Sequence, residues 1–297
     1  MPKMNIPRNI RKWFKDKIKN TYYEIERERN KNQSADTPTI YLPYLKYNES
    51  YYFPESKTEY EKCELGLPIP PESLWLGYGK SKEVYLFGKT QISKMLEITG
   101  NSGFEISENM KILDFGCGAG RMIRWLKPYA EKCEIWGTDI SAEHINWANH
   151  YLRPPFNFAT TTTNPNLPFE DRYFDLIYAG SVFTHIDDLA EAWLLELRRI
   201  LKPEGRLYFT VQDKHSIEKL NSEKHYKDIW LTRYLNSNKV YLENKNDFSV
   251  FVGGRGPASQ VFYDIDFFRE SLKTIFDVLS VNQEAYGFQT GILLKRK

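Results

Sequence analysis

The residues whose types and spacing point most clearly to chemistry form a glycine-rich segment, Asp114-Phe115-Gly116-Cys117-Gly118-Ala119-Gly120. Glycine permits sharp turns and lets a backbone approach a ligand closely, so such segments bind nucleotides where a strand leads into a helix. Dinucleotide sites use the spacing G-x-G-x-x-G. Here the three glycines alternate, and Arg121 stands where the third glycine of that motif would be. The spacing therefore argues against a dehydrogenase that binds NAD, which remains the last alternative.

Two carboxylates flank this segment. Asp114 lies two residues before the first glycine, where its charge would repel a pyrophosphate but favour an ammonium or a nearby sulfonium. Asp139 ends the second predicted strand, where a carboxylate can accept hydrogen bonds from both ribose hydroxyls. The competing interpretation is that Asp139 only caps the following helix. Taken with the glycines, the two acids predict a nucleoside that carries a positive group.

The elements around these residues alternate from residue 111 onward. Strands are predicted at 111–115, 133–137, 156–159, 175–179, 206–211, 276–281 and 288–294. Helices are predicted at 82–98 and 121–129, from a cap at Ser141 to about residue 151, from a cap at Asp187 or Asp188 to Leu201, and after Asp264 or Asp266. This alternation predicts a parallel sheet with helices on both faces.

Several short blocks together resemble the class I S-adenosylmethionine-dependent methyltransferase family. They run from Ile112 to Arg121, Gly137 to Ser141, Leu167 to Asp171, Phe174 to Tyr178, Ser181 to His185 and Leu201 to Gly205. The resemblance covers residues 86–211 well and the last two strands loosely. It implies a Rossmann-like, mostly parallel seven-stranded sheet with helices on both faces and an antiparallel last strand. It also implies S-adenosylmethionine as the cofactor.

The resemblance assigns expected roles to individual residues. Gly116, Gly118 and Gly120 would line the methionine part of the cofactor, and Asp114 would favour its amino group. Asp139 would hold the ribose, Ile140 would pack on the adenine, and Ala179 to Ser181 would border the methionine end. Cys117 and Arg121 complete the expected cofactor-binding set. Many family members carry an acid after the third strand that contacts the adenine amino group, whereas this chain has Thr160-Thr161-Thr162-Thr163-Asn164. A threonine hydroxyl or a backbone carbonyl would have to substitute for that acid.

Candidates for action on the acceptor follow the fourth and fifth strands. Methyl transfer from a sulfonium is an in-line displacement, and a base helps when the acceptor hydroxyl must lose a proton. His185 is the first candidate, because it follows the fourth strand at the edge where such sites lie. Asp213 and His215 form a second tier after the fifth strand. Weaker candidates for the acceptor site are Tyr78, His225 and Tyr226, while His144 and His150 are interpreted as structural.

Composition divides the chain into an N-terminal extension and a larger domain that carries an insertion. Residues 1–85 are predicted to be a partly helical N-terminal extension that packs on or caps the core, and 86–297 to be the methyltransferase domain. An insertion at 212–260 is expected to contain helices and a hairpin and to bind the acceptor. Residues 6–18 form a basic amphipathic pattern, which favours packing on the protein itself and leaves contact with a membrane surface open.

Bulk composition excludes several classes of protein. A net charge of +2 lacks the basic footprint of nucleic-acid binding, and no apolar run is long enough to span a membrane. Three cysteines without close pairing argue against a disulfide framework, no metal spacing is present, and a cytoplasmic location is expected.

The leading hypothesis is an O-methyltransferase that acts on a small molecule or a glycan. The first alternative is methylation of nitrogen, or of a protein or lipid acceptor. The second is a protein that binds the cofactor without transferring its methyl group.

Overall fold

The computed structural model describes residues 59–75, 82–186, 188–254 and 259–297, apart from the side chain of Val84. The chain divides into two units, Met1–Thr58 and Glu59–Lys297, and all described residues lie in the second. The predicted basic N-terminal helix, Tyr78 and Asp187 therefore lie outside the described residues. Part of the predicted extension does belong to the second unit, because Leu67 and Leu74 share a hydrophobic cluster with Ile92.

Helices and strands alternate through most of this unit. The α-helices are α1 (Lys82–Leu86), α2 (Gly88–Asn101), α3 (Ala142–Tyr151), α4 (Ala190–Ile200), α5 (Lys214–Ser222), α6 (Trp230–Ser237), α7 (Lys239–Asn244) and α8 (Ile265–Leu272). The strands are β1 (Lys111–Phe115), β2 (Glu134–Asp139), β3 (Asn157–Thr160), β4 (Phe174–Ala179), β5 (Leu201–Asp213), β6 (Val250–Gly253), β7 (Gln260–Tyr263), β8 (Phe276–Tyr286) and β9 (Gln289–Arg296). Short 3₁₀ helices span Glu72–Leu74, Ile123–Tyr129 and Lys224–Tyr226.

Nine strands of the described residues form one mixed sheet. β3, β2, β1, β4 and β5 pair in parallel, in that order. β9 then pairs antiparallel with β5 and with β8. The predicted Rossmann-like, mostly parallel sheet with an antiparallel last strand is therefore confirmed.

The two additional strands come from the predicted insertion. β7 pairs in parallel with the last two residues of β5, and β6 pairs antiparallel with β7. With α5, α6 and α7 these strands enclose a separate hydrophobic cluster that includes Leu220, Leu235 and Phe262. The expected helices and antiparallel strand pair are thus present.

Each face of the sheet has its own core, because successive strand residues point to opposite sides. Ile112 of β1 packs with Met95 of α2 and Ala148 of α3. The next residue, Leu113, packs on the other face with Leu197 of α4. Helices on both faces are thereby confirmed. Among the described helices, none is both long and apolar enough to cross a membrane.

Some local predictions differ from the structure. The helix predicted at 121–129 is a 3₁₀ helix from Ile123, with Pro128 inside it, and proline cannot donate the backbone hydrogen bond of an α-helix. The helix predicted at 82–98 is two helices separated at Phe87. A Cβ on Gly88 would lie 2.4 Å from the carbonyl oxygen of Arg121, so glycine lets the start of α2 pack against the backbone that follows the glycine-rich segment.

Of the predicted helix caps, Ser141 and Asp264 are confirmed and Asp188 is not. Ser141 caps α3 by accepting a hydrogen bond from the His144 backbone, and Asp264 caps α8 in the same way through Phe267. The N-cap of α4 is Leu189, without a side-chain cap hydrogen bond, so the predicted cap at Asp188 is wrong.

Candidate cofactor site

A cavity of about 280 Å³ lies beside the C-terminal ends of β1 and β2 and the turn after β4. Ligands of open α/β sheets bind at this edge. The lining residues are Leu74, Asp114, Gly116, Cys117, Gly118, Ala119, Arg121, Met122, Asp139, Ile140, Ser141, His144, Gly180 and Tyr286.

The glycine loop is fixed to β2 at its base and open to the cavity at its middle. The backbone N–H groups of Gly116 and Cys117 both donate to the carbonyl oxygen of Thr138, at 2.8 and 3.0 Å. Gly116 and Gly118 have positive φ angles of 81° and 53°. A Cβ on Gly116 would collide with Val182, whereas one on Gly118 would meet nothing within 4 Å. Gly118 therefore presents bare backbone to the space that a ligand can occupy.

Asp114 is a buried carboxylate on the wall of the cavity. Only 2% of its surface is exposed, and its Oδ2 accepts no hydrogen bond from the described residues. Burial raises the pKa of Asp114 from its ordinary value of 3.8 to about 7, and the Tyr178 hydroxyl and the Arg121 charge offset part of that rise. A cationic ligand group would supply the missing partner and favour the ionised form.

Asp139 connects the glycine loop to the start of α3. Its Oδ2 accepts from the Gly118 backbone N–H and its Oδ1 accepts from that of Ser141, both at 2.8 Å. Each carboxylate oxygen has a second lone pair, so both can still accept a hydroxyl from a ligand. The competing interpretation of Asp139 as the cap of α3 does not apply, because Ser141 is that cap.

Ile140 and His144 continue the wall from Asp139. Ile140 is 58% exposed and lines the cavity, so its apolar side chain is open to a ligand there. His144 is buried, and its Nε2 lies 3.2 Å from the carbonyl oxygen of Leu74. The structural interpretation of His144 is consistent with that contact, but this histidine also lines the cavity.

Arg121 lines the cavity together with Met122, Gly180 and Tyr286. It is buried, its guanidinium lies 5.3 Å from the ring centre of Tyr286, and its Nη2 donates to the Tyr286 hydroxyl. A Cβ on Gly180 would lie 2.6 Å from Met122 Sδ and 2.7 Å from the Tyr286 ring. These four residues therefore form one continuous surface beside Asp114.

Of the other expected cofactor contacts, Gly120, Ala179 and Ser181 do not line the cavity. Gly120 has a φ of 78°, and a Cβ there would collide with Leu152, so this glycine serves the turn itself. Ala179 and Ser181 flank Gly180, which is the lining residue of that segment. Their roles at the methionine end remain predictions.

His185, the first candidate base, is exposed and joins the turn after β4 to β7. Its Nδ1 lies 2.9 Å from the carbonyl oxygen of Ser259 and 3.3 Å from Gln260 Nε2. Since a carbonyl oxygen can only accept, the shorter contact favours the tautomer with the proton on Nδ1. Nε2 then retains a lone pair in the neutral ring. The Ser259 hydroxyl donates back to the carbonyl oxygen of His185 at 2.6 Å. His185 is not among the lining residues of the cavity.

The second-tier candidates have structural contacts. Asp213 caps α5 by accepting from the Ser216 backbone and hydroxyl, and its Oδ2 accepts from the Thr290 hydroxyl at 2.7 Å. His215 Nε2 lies 3.2 Å from a carboxylate oxygen of Glu284. Neither residue lines the cavity.

The weaker acceptor-site candidates lie in the insertion. His225 Nε2 lies 3.4 Å from Glu223, and the Tyr226 ring packs against Phe288 with ring centres 5.3 Å apart. Neither lines the cavity, and Tyr78 falls outside the described residues.

Six lining residues were not assigned to the site from the sequence: Leu74, Ala119, Met122, Ser141, His144 and Tyr286. Gly180 lies inside the segment Ala179 to Ser181, which was expected to border the methionine end. Tyr286 is 165 positions from its partner Arg121, and no local pattern could have joined them.

Comparison with known proteins matches the central part of the chain to methyltransferases. Residues 113–209 match a family model described as a methyltransferase domain. Over 97 residues the chain is 38% identical to the demethylmenaquinone methyltransferase of Thermotoga maritima, covering 33% of this chain and 41% of that protein. Over 106 residues it is 34% identical to a sterol 24-C-methyltransferase of Debaryomyces hansenii, covering 34% of this chain and 27% of that protein.

A solved structure of an S-adenosylmethionine-dependent methyltransferase from Clostridium acetobutylicum is also similar. The two are 18% identical with a TM-score of 0.49, covering 70% of this chain and 91% of that one. The matched segment spans about two fifths of the length of the first curated relatives.

Proposed function

The chain belongs to the class I S-adenosylmethionine-dependent methyltransferase family, and on that premise we propose that it transfers the methyl group of S-adenosylmethionine to a small acceptor. The observation that carries the proposal is the buried carboxylate of Asp114, whose Oδ2 accepts no hydrogen bond from the described residues, beside the open backbone of Gly118. An anionic cofactor phosphate would be repelled there, whereas an ammonium would be bound.

The described residues fit this cofactor. Asp114 supplies the acceptor for the amino group, and Asp139 has lone pairs left for the two ribose hydroxyls. The exposed side chain of Ile140 offers an apolar surface for the adenine. When bound, S-adenosylmethionine would supply an electrophilic methyl group on a sulfonium.

We further propose that the acceptor is a hydroxyl of a small molecule or a glycan, with His185 as the base. The hydrogen bond from Nδ1 to the Ser259 carbonyl supports this role, because it leaves Nε2 able to take a proton from an acceptor hydroxyl. The contact would also hold the ring in place.

The first test is calorimetric titration with S-adenosylmethionine, followed by incubation with a panel of acceptors. The panel should contain sugars, phenols, amines, a peptide mixture and a sterol, since one relative is named for transfer to a sterol carbon. We expect binding, and a methylated hydroxyl by mass spectrometry. Failure to bind would refute the family function for this chain. Methylation of an amine or peptide nitrogen, or of a sterol carbon, would refute the hydroxyl assignment. Binding without transfer to any acceptor would favour a cofactor-binding protein.

The second test is His185→Gln, assayed with whichever acceptor is turned over. We expect kcat to fall about 100-fold or more, the usual contribution of a general base, with unchanged affinity for S-adenosylmethionine. His150→Gln is the matched control, because His150 is exposed on α3 and does not line the cavity. An unaltered kcat in His185→Gln would remove the base from the mechanism.

A further inference from the structure

The turn that follows β4 has a backbone conformation that few residues adopt. Ser181 has a φ of 62°, in the left-handed region that favours glycine. Its neighbour Gly180 lines the cavity. A non-glycine residue keeps such a conformation only when its surroundings hold it there.

A closed ring of hydrogen bonds holds this turn. The Ser181 backbone N–H donates to Thr210 Oγ1 at 2.7 Å. The Thr210 hydroxyl donates to Gln289 Oε1 at 2.7 Å, and Gln289 Nε2 donates to Ser181 Oγ at 2.8 Å. Both partners of the Gln289 amide are hydroxyls, which can donate or accept, so the ring closes with either orientation of the amide.

The ring connects three distant parts of the chain inside the protein. Thr210 lies on β5 and is 0% exposed, and Gln289 begins β9 and is 6% exposed. Neither residue lines the cavity. Side chains that satisfy one another in this way favour one geometry, because loss of the Gln289 amide leaves the buried Thr210 hydroxyl without its acceptor and leaves Ser181 Oγ with its contact to Thr184 Oγ1 at 3.2 Å.

The turn also has little room to move. Gly180 packs directly between Met122 and Tyr286, and a Cβ there would collide with both. These residues adjoin Arg121 and Asp114, which form the part of the cavity suited to an amino acid group. A shift of Ser181 would therefore change the wall at that part of the cavity and leave Asp139 in place.

We propose that Gln289 is a positioning residue for the methionine part of the cofactor. It acts through Ser181 by keeping the turn in the left-handed conformation that places Gly180 in the cavity wall. This inference rests on the proposed function. It predicts that loss of the Gln289 amide weakens binding of the methionine part while binding of the nucleoside part is retained.

The experiment compares binding of three probes by calorimetry: S-adenosylmethionine, S-adenosylhomocysteine and adenosine. In Gln289→Leu we expect the dissociation constants of the first two to rise about tenfold, the size of one lost buried hydrogen bond. Adenosine lacks the methionine part, so its affinity should stay as in the wild type. Gln289→Asn keeps the amide but is too short to close the ring, and it should show the same pattern if the leucine variant does not fold.

Gln212→Leu is the matched control. Gln212 is also buried, lies on β5 and donates to Gln260 Oε1 at 3.2 Å, outside the ring. We expect this variant to bind all three probes as the wild type does, even if its melting temperature falls.

A second substitution distinguishes a loss of positioning from a general loss of stability. Glycine adopts a positive φ without help, so Ser181→Gly should restore most of the S-adenosylmethionine affinity when combined with Gln289→Leu. Equal loss of adenosine and S-adenosylmethionine binding, unchanged affinity in both Gln289 variants, or absence of rescue would overturn the inference. If the wild type itself binds none of the probes, it is the proposed function that fails.

Discussion

At the scale of single residues, Asp114 has opposite effects on stability and on binding. Burial raises its pKa to about 7, so the folded protein holds this proton more tightly than the unfolded chain does. The contribution of Asp114 to stability is therefore lost as the pH rises from 3.8 toward 7. A bound ammonium reverses the preference, because it favours the ionised carboxylate.

We predict a bell-shaped pH dependence for S-adenosylmethionine affinity. Affinity should rise as Asp114 ionises near pH 7, and fall above about pH 8 as the amino group of the ligand loses its proton. Calorimetry between pH 5.5 and 9, in steps of about half a unit, would measure both limbs, each set by one titrating group.

Asp114→Asn should abolish the lower limb and weaken binding about tenfold or more, because a charge-assisted hydrogen bond is lost. Without ligand, the same variant should resist urea better than the wild type at pH 8, since no buried charge remains. Asp266→Asn is the control, because the Asp266 side chain is 93% exposed. A lower limb that persists in Asp114→Asn would show that another group controls it.

At the scale of elements, the glycines of the loop have different roles. Gly116 is needed for packing, whereas Gly118 borders space that a ligand can occupy. Gly116 and Gly118 both have positive φ, but only Gly118 borders open space. The same comparison is available outside the site, because Gly103 also has a positive φ, of 77°, and open space around it.

We predict that Gly118→Ala and Gly103→Ala destabilise the fold similarly, by about 1 kcal/mol for the left-handed backbone alone. Only Gly118→Ala should weaken S-adenosylmethionine binding, since its methyl group enters the cavity. Gly116→Ala should lose more stability than either, because its Cβ would lie 2.3 Å from Val182. Urea denaturation and calorimetry measure the two effects, and loss of binding in Gly103→Ala would contradict the assignment of Gly118 to the site.

At the scale of the whole unit, one buried arginine joins three segments around the cofactor loop. Arg124 is 0% exposed and donates to the carbonyl oxygens of Gly120 and Pro68, both at 2.8 Å. It also donates to the hydroxyl of Tyr85 at 3.3 Å, and that hydroxyl donates in turn to the carbonyl oxygen of Ala119. The segment before α1, α1 itself and the loop are thus held by one guanidinium.

We predict that Arg124→Met lowers the free energy of unfolding by about 2–4 kcal/mol, because several buried acceptors lose a charged donor at once. Urea denaturation of the full chain measures this loss. Arg233→Met, at an exposed position on α6, is the control and should change stability by less than about 0.5 kcal/mol. Equal midpoints in the two variants would contradict a joining role for Arg124.

The sequence by itself determined the features that depend on local pattern. Alternating elements predicted a parallel sheet, and capping acts over only three residues, so the caps could be predicted as Ser141 and as either Asp264 or Asp266. The glycine spacing with Asp114 and Asp139 indicated a cationic nucleoside, since the charge and reach of those side chains follow from residue type.

Only the tertiary structure decided which distant residues complete the site. Tyr286 meets Arg121, Leu74 meets His144, and Gln289 meets Ser181 across 165, 70 and 108 positions of the chain. Residue type and local spacing carry no information about such pairs, because they form only when the strands and helices pack. For the same reason the sequence placed His185 at the correct edge of the sheet, but only the packing of β7 against the turn after β4 showed that its Nδ1 is bonded to Ser259.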